Sequence, residues 1–150
     1  MKLRVDCPGF GNKNNPKILF IGERPGAKEF ELKKPFVGRA GKFLDKELEK
    51  IGIKRDENYI TNIVKSYAEG NKAPTKEEIQ RYLPLLEKEI EEINPKIIVL
   101  LGKTASENVP RNSKYTYLHI IHPSAAMRFN KPRIKFLEGM QKLKTFVTKN

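Results

Sequence analysis

The stretch KILFIGERPG, residues 17–26, decides the fold that this sequence predicts. Its first five residues form a short apolar run rich in strand-forming side chains, and Gly22 and Pro25 then end the strand. A run of this kind is typical of a strand in a parallel sheet, because helices cover both faces of such a sheet. We therefore expect a buried strand that ends in a functional loop.

Strand and helix patterns alternate through the rest of the chain. The other predicted strands cover residues 59–64, 97–101 and 115–121. Because helices separate these strands, the sequence predicts an α/β fold, a three-layer αβα sandwich with a central four-stranded parallel sheet. A length of 150 residues suits one domain, so we expect a single domain over residues 1–150.

Four helices are expected between and after these strands. Apolar spacing predicts them at residues 41–51, 75–95, briefly after residue 102, and at 132–147. Thr75 followed by Glu78 is a capping-box pattern, and Pro84 is expected to kink the helix that contains it. In the last helix, the side chains predicted to face inward are Ile134, Leu137, Met140 and Phe146.

The formal net charge is +12, and residues 103–150 alone hold ten Lys and Arg against two Glu. A charge of this size favours a polyanion such as nucleic acid, because neutralised phosphates release counterions. The alternative is the solvated, Lys- and Glu-rich surface of a thermophile protein. No apolar stretch reaches the roughly 20 residues of a membrane span. A cytoplasmic protein without membrane contact is therefore expected, and the resemblance given below implies that it is prokaryotic and associated with DNA.

Three motifs follow predicted strands: residues 22–26 after the first, Asn62 in the second, and His122 with residues 123–124 after the fourth. In a doubly wound sheet, ligands bind beyond the carboxyl ends of the strands, where the loops after these strands emerge. Motifs that are scattered in sequence are therefore predicted to share one cleft.

The tracts GERPG (22–26), PFVGRAG (35–41), YITN (59–62) and HPS (122–124) resemble, in order and spacing, the uracil-DNA glycosylase superfamily, nearest its family 4. The resemblance runs from about residue 17 to residue 128. It implies a monofunctional enzyme of DNA repair that flips uracil out of DNA and hydrolyses its N-glycosidic bond, leaving an abasic site. The implied partner is uracil-containing DNA, bound by a monomer, with a sliding-clamp partner left open.

For the chemistry of base release, the resemblance points to His122 and Glu23. His122 would stabilise the negative charge at uracil O2 as the base departs, and the sequence leaves its protonation state open. Glu23 would assist the attacking water or the positively charged sugar, or else order its own loop through backbone N–H groups. Asn71 matches a supporting residue of the family.

Uracil recognition is implied for Phe36, Asn62, Glu29 and Gly22. Phe36 would stack on the extruded base, and Asn62 would read its edge and reject cytosine. Glu29 would exclude the methyl group of thymine. From the residues alone, core packing explains Phe36 better, and Asn62 at a strand end is more often a turn former.

The resemblance also implies contacts with DNA, in the segments around residues 38–39 and 124–128. Residues 125–128 look like a loop that enters the minor groove, with Met127 as its apolar plug and Arg128 beside it. Ser124 would grip a backbone phosphate. Gly38 and Arg39, at a predicted helix start, would bind a further phosphate.

Arg24 departs from the family, which places a small or acidic residue there. A cation directed at the sugar would oppose the positive charge that develops on it. Either Arg24 turns outward to a DNA phosphate, which we favour, or the protein is a non-catalytic or very slow relative that binds uracil or DNA. A small nucleotide-binding enzyme ranks last, because the chain has no phosphate-loop or dinucleotide motif.

Most members of family 4 carry an iron–sulfur cluster, and the four positions of its ligands correspond here to Cys7, Phe10, Ser66 and Tyr82. One thiol cannot hold such a cluster, and Phe and Ser are not substitutes for thiolates. We therefore predict no cluster, no metal and no organic cofactor. Phe10 and Tyr82 are expected to fill the space by apolar packing.

Overall fold

The computed structural model describes residues 3–149, and its centre is a five-stranded sheet. The strands are β1 (Phe10–Gly11), β2 (Ile18–Gly22), β3 (Tyr59–Asn62), β4 (Ile97–Leu101) and β5 (Thr116–Ile120). They lie in the order β1-β3-β2-β4-β5, and β2 to β5 are all parallel. The predicted α/β fold with four parallel strands is confirmed for this part of the sheet.

The fifth strand, β1, corrects the prediction of a purely parallel sheet. It pairs with β3 in antiparallel orientation through only two residues, with Phe10 opposite Ile60 and Gly11 opposite Tyr59. Gly11 has a φ of 129°, and a Cβ there would overlap the carbonyl oxygen of Asn58. Two residues, one of them a glycine, carry no strand pattern, so the sequence did not reveal this edge.

Six α-helices accompany the sheet within residues 3–149. They are α1 (Ala27–Leu32), α2 (Arg39–Lys50), α3 (Lys76–Ile93), α4 (Lys103–Asn108), α5 (Pro123–Arg128) and α6 (Asn130–Lys149). The short helices α1 and α5 were not predicted, and α5 replaces the expected minor-groove loop at 125–128. None of these helices has the length and apolar character needed to cross a membrane.

Helices cover both faces of the sheet, which makes the three layers. Ile18 and Phe20 of β2 pack with α2 and α6, whereas Leu19 and Ile21 pack with α3 and α4. All five residues of β2 are buried. The continuous apolar run at 18–21 therefore reflects a strand with core on both sides.

The start of α3 matches its predicted capping box. The Thr75 hydroxyl accepts a hydrogen bond from the backbone N–H of Glu78 at 3.1 Å, and the Glu78 carboxylate accepts one from the backbone N–H of Thr75 at 3.0 Å. The helix continues across Pro84 and ends at Asn94 in the left-handed conformation.

The inward face of α6 differs from the predicted one. Ile134 and Leu137 are 59% and 41% exposed, whereas Met140 is buried as expected. Phe136 and Leu143, at positions four before and three after Met140, complete the buried stripe. The prediction was wrong for Ile134 and Leu137 because they lie to the side of this stripe, and Phe146 packs partly against the core.

Candidate functional site

The carboxyl ends of β2, β3 and β4 open into a cleft with a volume of about 580 Å³. Small-molecule sites typically have volumes of about 300–1,000 Å³. The cleft brings together eight of the predicted site residues: Glu23, Arg24, Glu29, Phe36, Asn62, Asn71, His122 and Ser124. The predicted convergence of the loops after β2, β3 and β5 is therefore present in the structure.

Phe36 and Asn62 meet above Gly22. A Cβ at Gly22 would lie 2.6 Å from both the Asn62 Oδ1 and the Phe36 Cζ, so no larger residue fits without displacing them. Phe36 has a φ of 53°, a conformation that is costly for an aromatic residue and occurs mostly at functional sites. The backbone of Gly41 approaches the Phe36 carbonyl too closely to admit a side chain.

The carboxamide of Asn62 is available to a ligand. The residue is 3% exposed and lines the cleft, and among residues 3–149 no protein group hydrogen-bonds its side chain. Because the amide faces the cleft, a ligand bound there can pair with its groups. The Asn62 side chain therefore has one acceptor and two donors to offer in the cleft.

His122 follows β5 and caps the start of α5. Its Nδ1 accepts a hydrogen bond from the backbone N–H of Ser124 at 3.1 Å and lies 2.8 Å from the Ser124 hydroxyl. Because a backbone N–H can only donate, Nδ1 carries no proton, and the neutral ring holds its proton on Nε2. Burial lowers the pKa of His122 below its ordinary value, against the charges of Glu23 and Glu29, which raise it.

The ring of His122 lies beside that of Phe36, with their centroids 5.8 Å apart. On its other side is Gly102, which has a φ of 93° and whose Cβ, if present, would lie 3.1 Å from the Cβ of His122. The glycine that follows β4 thus allows the imidazole to sit against the backbone. The structure places the histidine as a neutral hydrogen-bond donor next to an aromatic face.

Glu23 is held by helix α4 and by the segment that follows β3. Its carboxylate accepts a hydrogen bond from the Thr104 hydroxyl of α4, and its carbonyl oxygen accepts one from the backbone N–H of Val64 at 3.0 Å. Thr104 lines the cleft and was missed by the sequence analysis. The signal available for it was its position just after β4, whose carboxyl end opens at the same edge of the sheet.

Glu29 holds the loop that carries Phe36. Its carboxylate accepts hydrogen bonds from the backbone N–H groups of Gly26 (3.0 Å), Val37 (2.9 Å) and Gly38 (2.7 Å). The prediction that the Gly38 N–H binds a phosphate was therefore wrong, because Glu29 already accepts from it. Arg39 is exposed and lies outside the residues that line the cleft.

Arg24 does not turn outward, in contrast to the favoured prediction. Its side chain is only 6% exposed and pairs with the Glu78 carboxylate at 3.0 Å. Charge-assisted hydrogen bonds to an acidic partner and to nearby backbone carbonyl groups stabilise the guanidinium more than solvent does, which explains the inward orientation. The charge of Arg24 is therefore balanced within the protein.

Met127, Arg128 and Phe129 form the corner between α5 and α6, called here the α5–α6 corner. Met127 is half-buried, Arg128 is exposed, and Phe129 is 63% exposed. Arg133 donates to the carbonyl oxygens of residues 126 and 127, both at 2.9 Å. Phe129 was missed by the sequence analysis, and it is the most exposed large apolar side chain among the described residues.

Ser124 also differs from its predicted role as a phosphate ligand, because both its hydroxyl and its N–H are directed at Nδ1 of His122. Asn71 lies in a short 3₁₀ turn at the rim of the cleft, with a φ of 53°. These two residues support the cleft from opposite sides. Their contacts indicate that Ser124 orients the imidazole.

The residues at the four cluster positions do not fit an iron–sulfur cluster. Cys7 is buried, and burial raises the pKa of its thiol to about 11, which disfavours the thiolate that iron requires. Phe10 is 51% exposed beneath the ammonium of Lys34, so the prediction that it fills the space by packing was wrong. Tyr82 is buried in the core as expected. Within residues 3–149, no group of three or more His, Cys, Asp and Glu side chains is placed to hold a metal.

The fold and the cleft define this chain as an α/β protein that can hold a small planar ligand between an aromatic ring, an amide and a neutral imidazole. Residues 8–144 match the family model described as the Uracil DNA glycosylase superfamily. The chain belongs to this superfamily.

Curated relatives agree with this assignment. The chain is 36% identical over 159 positions to a protein named type-4 uracil-DNA glycosylase from Thermotoga maritima, with coverage of 94% of this chain and 82% of that protein. It is 42% identical over 100 positions to a protein of the same name from Archaeoglobus fulgidus, covering 67% of this chain and half of that protein. A DNA polymerase of Bacillus phage SP01 is 29% identical over 89% of this chain, which spans 16% of that polymerase. The predicted resemblance, nearest to family 4, is confirmed.

Proposed function

We propose that this protein is a monofunctional DNA repair enzyme that flips uracil out of DNA and hydrolyses its N-glycosidic bond, leaving an abasic site. The observation that carries the proposal is the meeting of Phe36, Asn62 and a neutral His122 in one cleft. Relatives named type-4 uracil-DNA glycosylase support the same activity. The reaction class is hydrolysis of a glycosidic bond on an extruded base.

Recognition of uracil follows from the unpaired amide. The Asn62 oxygen accepts from N3–H of uracil, and its NH₂ group donates to O4. Cytosine presents an acceptor at N3 and a donor at position 4, so a held amide is left with two mismatched groups. Phe36 supplies the flat apolar surface on which the base stacks.

Base release depends on His122. As the glycosidic bond breaks, negative charge develops on the uracil ring and positive charge on the sugar. The Nε2–H of a neutral imidazole stabilises the anion at O2, because the donor is fixed before the charge appears. Glu23, held by Thr104, is positioned to orient the attacking water and to stabilise the positively charged sugar.

The position of Arg24 supports turnover over the non-catalytic alternative. That alternative rested on a cation directed at the sugar. Because the guanidinium pairs with Glu78, the positive charge next to the reacting sugar is reduced. The charge of Arg24 is therefore balanced by Glu78, although Arg24 directly follows the proposed catalytic carboxylate, Glu23.

DNA binds across the mouth of the cleft and the α5–α6 corner. Arg128 and Phe129 are exposed there, and the net charge of +12 favours phosphates. Phe129 enters the space that the extruded nucleotide leaves in the stack. Because Lys and Arg supply much of the affinity, binding is expected to weaken steeply with salt.

The experiment is release of free uracil from an oligonucleotide that carries one uracil, with cytosine and thymine versions as substrate controls. Wild-type protein is expected to release uracil only. Asn62→Leu should lower the rate about 100-fold, because two groups of the base are left unpaired at roughly 1–3 kcal/mol each. Asn112→Leu, an exposed position before β5 at the opposite edge of the sheet, should retain the wild-type rate. Binding without any release of uracil would disprove the activity.

A further inference from the structure

The side chain of Arg24 is committed to four neighbouring groups. Its guanidinium donates to the carbonyl oxygen of Ser66 at 3.0 Å, the Ser66 hydroxyl at 3.3 Å, the carbonyl oxygen of Lys72 at 3.2 Å and the Glu78 carboxylate at 3.0 Å. These partners come from the segment after β3 and from the first turn of α3. One side chain therefore joins the loop after β2 to two other parts of the chain.

This set of contacts lies at the corner where the resemblance places cluster ligands. Ser66 and Tyr82 occupy two of the four ligand positions, and both line a cavity of about 370 Å³ together with Arg24 and Glu78. The Tyr82 hydroxyl closes the same corner by donating to the carbonyl oxygen of Arg4. Arg24 and Tyr82 thus join the segments around two of the four ligand positions by hydrogen bonds.

We propose that Arg24 is a positioning residue that holds the two loops that carry Glu23 and Asn71 in place for base release. This inference rests on the proposed function. Glu23 is the preceding residue in the chain, and Asn71 immediately precedes the carbonyl group of Lys72 that Arg24 binds. A shift of the Arg24 backbone or of the Lys72 carbonyl moves a residue that lines the cleft.

The chemistry of these contacts requires an arginine. A planar guanidinium presents several donors in a fixed geometry, so it reaches Ser66, Lys72 and Glu78 at once, whereas a lysine ammonium is a point charge on a flexible stem. Glu78 is itself anchored, because its other carboxylate oxygen accepts from the Thr75 backbone. The bonds from Thr75 and Arg24 hold the pKa of Glu78 below its ordinary value, so the carboxylate stays charged.

The test is the single-turnover rate of uracil release at saturating protein, with the affinity for the oligonucleotide obtained from its dependence on protein concentration. Arg24→Ala is expected to lower the rate about 100-fold with unchanged affinity, because small displacements of reacting groups cost this much. Arg24→Lys should remain slow. Added guanidinium ion should restore part of the rate of Arg24→Ala, which a merely structural loss would not allow.

Arg111→Ala is the matched control. It removes another arginine that donates to two backbone carbonyl oxygens, those of Ser106 at 2.9 Å and Val109 at 2.6 Å, and these residues lie outside those that line the cleft. This variant should lose thermal stability and keep the wild-type rate. A wild-type rate for Arg24→Ala, in a protein that releases uracil, would overturn the positioning role and leave the proposed function intact.

Two further measurements cover the remaining outcomes. If Arg24→Ala does not fold, Glu78→Gln keeps the helix cap and removes only the charge, with a rate about tenfold lower expected and a wild-type rate overturning the proposal. If the wild-type protein releases no uracil, the proposed function fails on its own. Hydrogen exchange then decides the positioning role: Arg24→Ala should speed exchange at residues 23–26 and 67–72, Arg111→Ala should not, and unchanged exchange in Arg24→Ala overturns it.

Discussion

The cleft and the α5–α6 corner differ in how firmly their side chains are held. In the cleft, Glu29 accepts three backbone hydrogen bonds, Ser124 fixes the imidazole of His122, and Arg24 makes four contacts. In the corner, Arg128 and Phe129 project into solvent. The difference follows from the tasks proposed for them. Stabilising charge in a transition state requires groups that are fixed in advance, whereas exposed side chains can bind a flexible polyanion.

The largest effect is expected for His122→Ala, which removes the donor at the centre of the fixed region. Loss of one such donor typically costs about 10²- to 10³-fold in rate. The single-turnover rate of uracil release should fall by that factor while DNA affinity stays near that of the wild type. The second histidine of the chain, His119 on β5, lies outside the cleft residues and serves as control, since His119→Ala should keep the wild-type rate. Equal losses of rate in His122→Ala and His119→Ala would contradict the role of His122 as the donor.

A smaller loss is expected for Gly22→Ala, which tests how tightly the cleft is packed. The added Cβ would lie 2.6 Å from both Asn62 and Phe36, so one or both must move, with a rate loss of about 100-fold. Gly52→Ala provides the comparison, because a Cβ there meets open space although its φ of 77° makes the substitution strained. Gly52→Ala should lower the melting temperature and keep the rate. A fully active Gly22→Ala would show that the cleft tolerates displacement.

The sequence predicted the parts of the molecule that depend on local patterns. The apolar run at 18–21 predicted a buried strand, Thr75 and Glu78 predicted the start of α3, and the three motifs after strands predicted a common cleft. In these places, periodicity, capping and strand direction agree, so the local pattern is sufficient. β1 was missed because two residues form it through pairing with β3 alone.

Two contacts that the sequence did not predict join residues that are distant in sequence. Arg24 turns inward because Glu78, 54 residues later, balances its charge. Thr104 reaches Glu23 across 81 residues. Such contacts depend on how loops meet at the edge of the sheet, which one sequence does not encode in any short window.

The α5–α6 corner is tested by Phe129→Ala against Ile134→Ala. Both side chains are large, apolar and similarly exposed, at 63% and 59%, but only Phe129 belongs to the corner. Loss of an aromatic contact with bases is worth about 1–3 kcal/mol, so affinity for uracil-containing duplex should fall about tenfold in Phe129→Ala. Ile134→Ala should bind as the wild type, and both variants should reach the wild-type rate at saturation. Equal affinity of the two variants would exclude Phe129 as the plug.

The smallest effect is expected from pH near neutrality. Burial lowers the pKa of His122 below 6.5, so the neutral donor persists as the pH falls through 6.5, and the saturated rate should decline only at lower pH. The unfolded ring binds a proton at the ordinary pKa, so this residue makes the protein less stable as the pH falls below about 6.5. The charge of Glu23 raises the pKa of His122, and Glu23→Gln should therefore move the acidic limb of the pH–rate profile to still lower pH. A saturated rate that is highest at low pH and falls as the pH rises through the pKa of His122 would mean that the cationic imidazole is the reactive form.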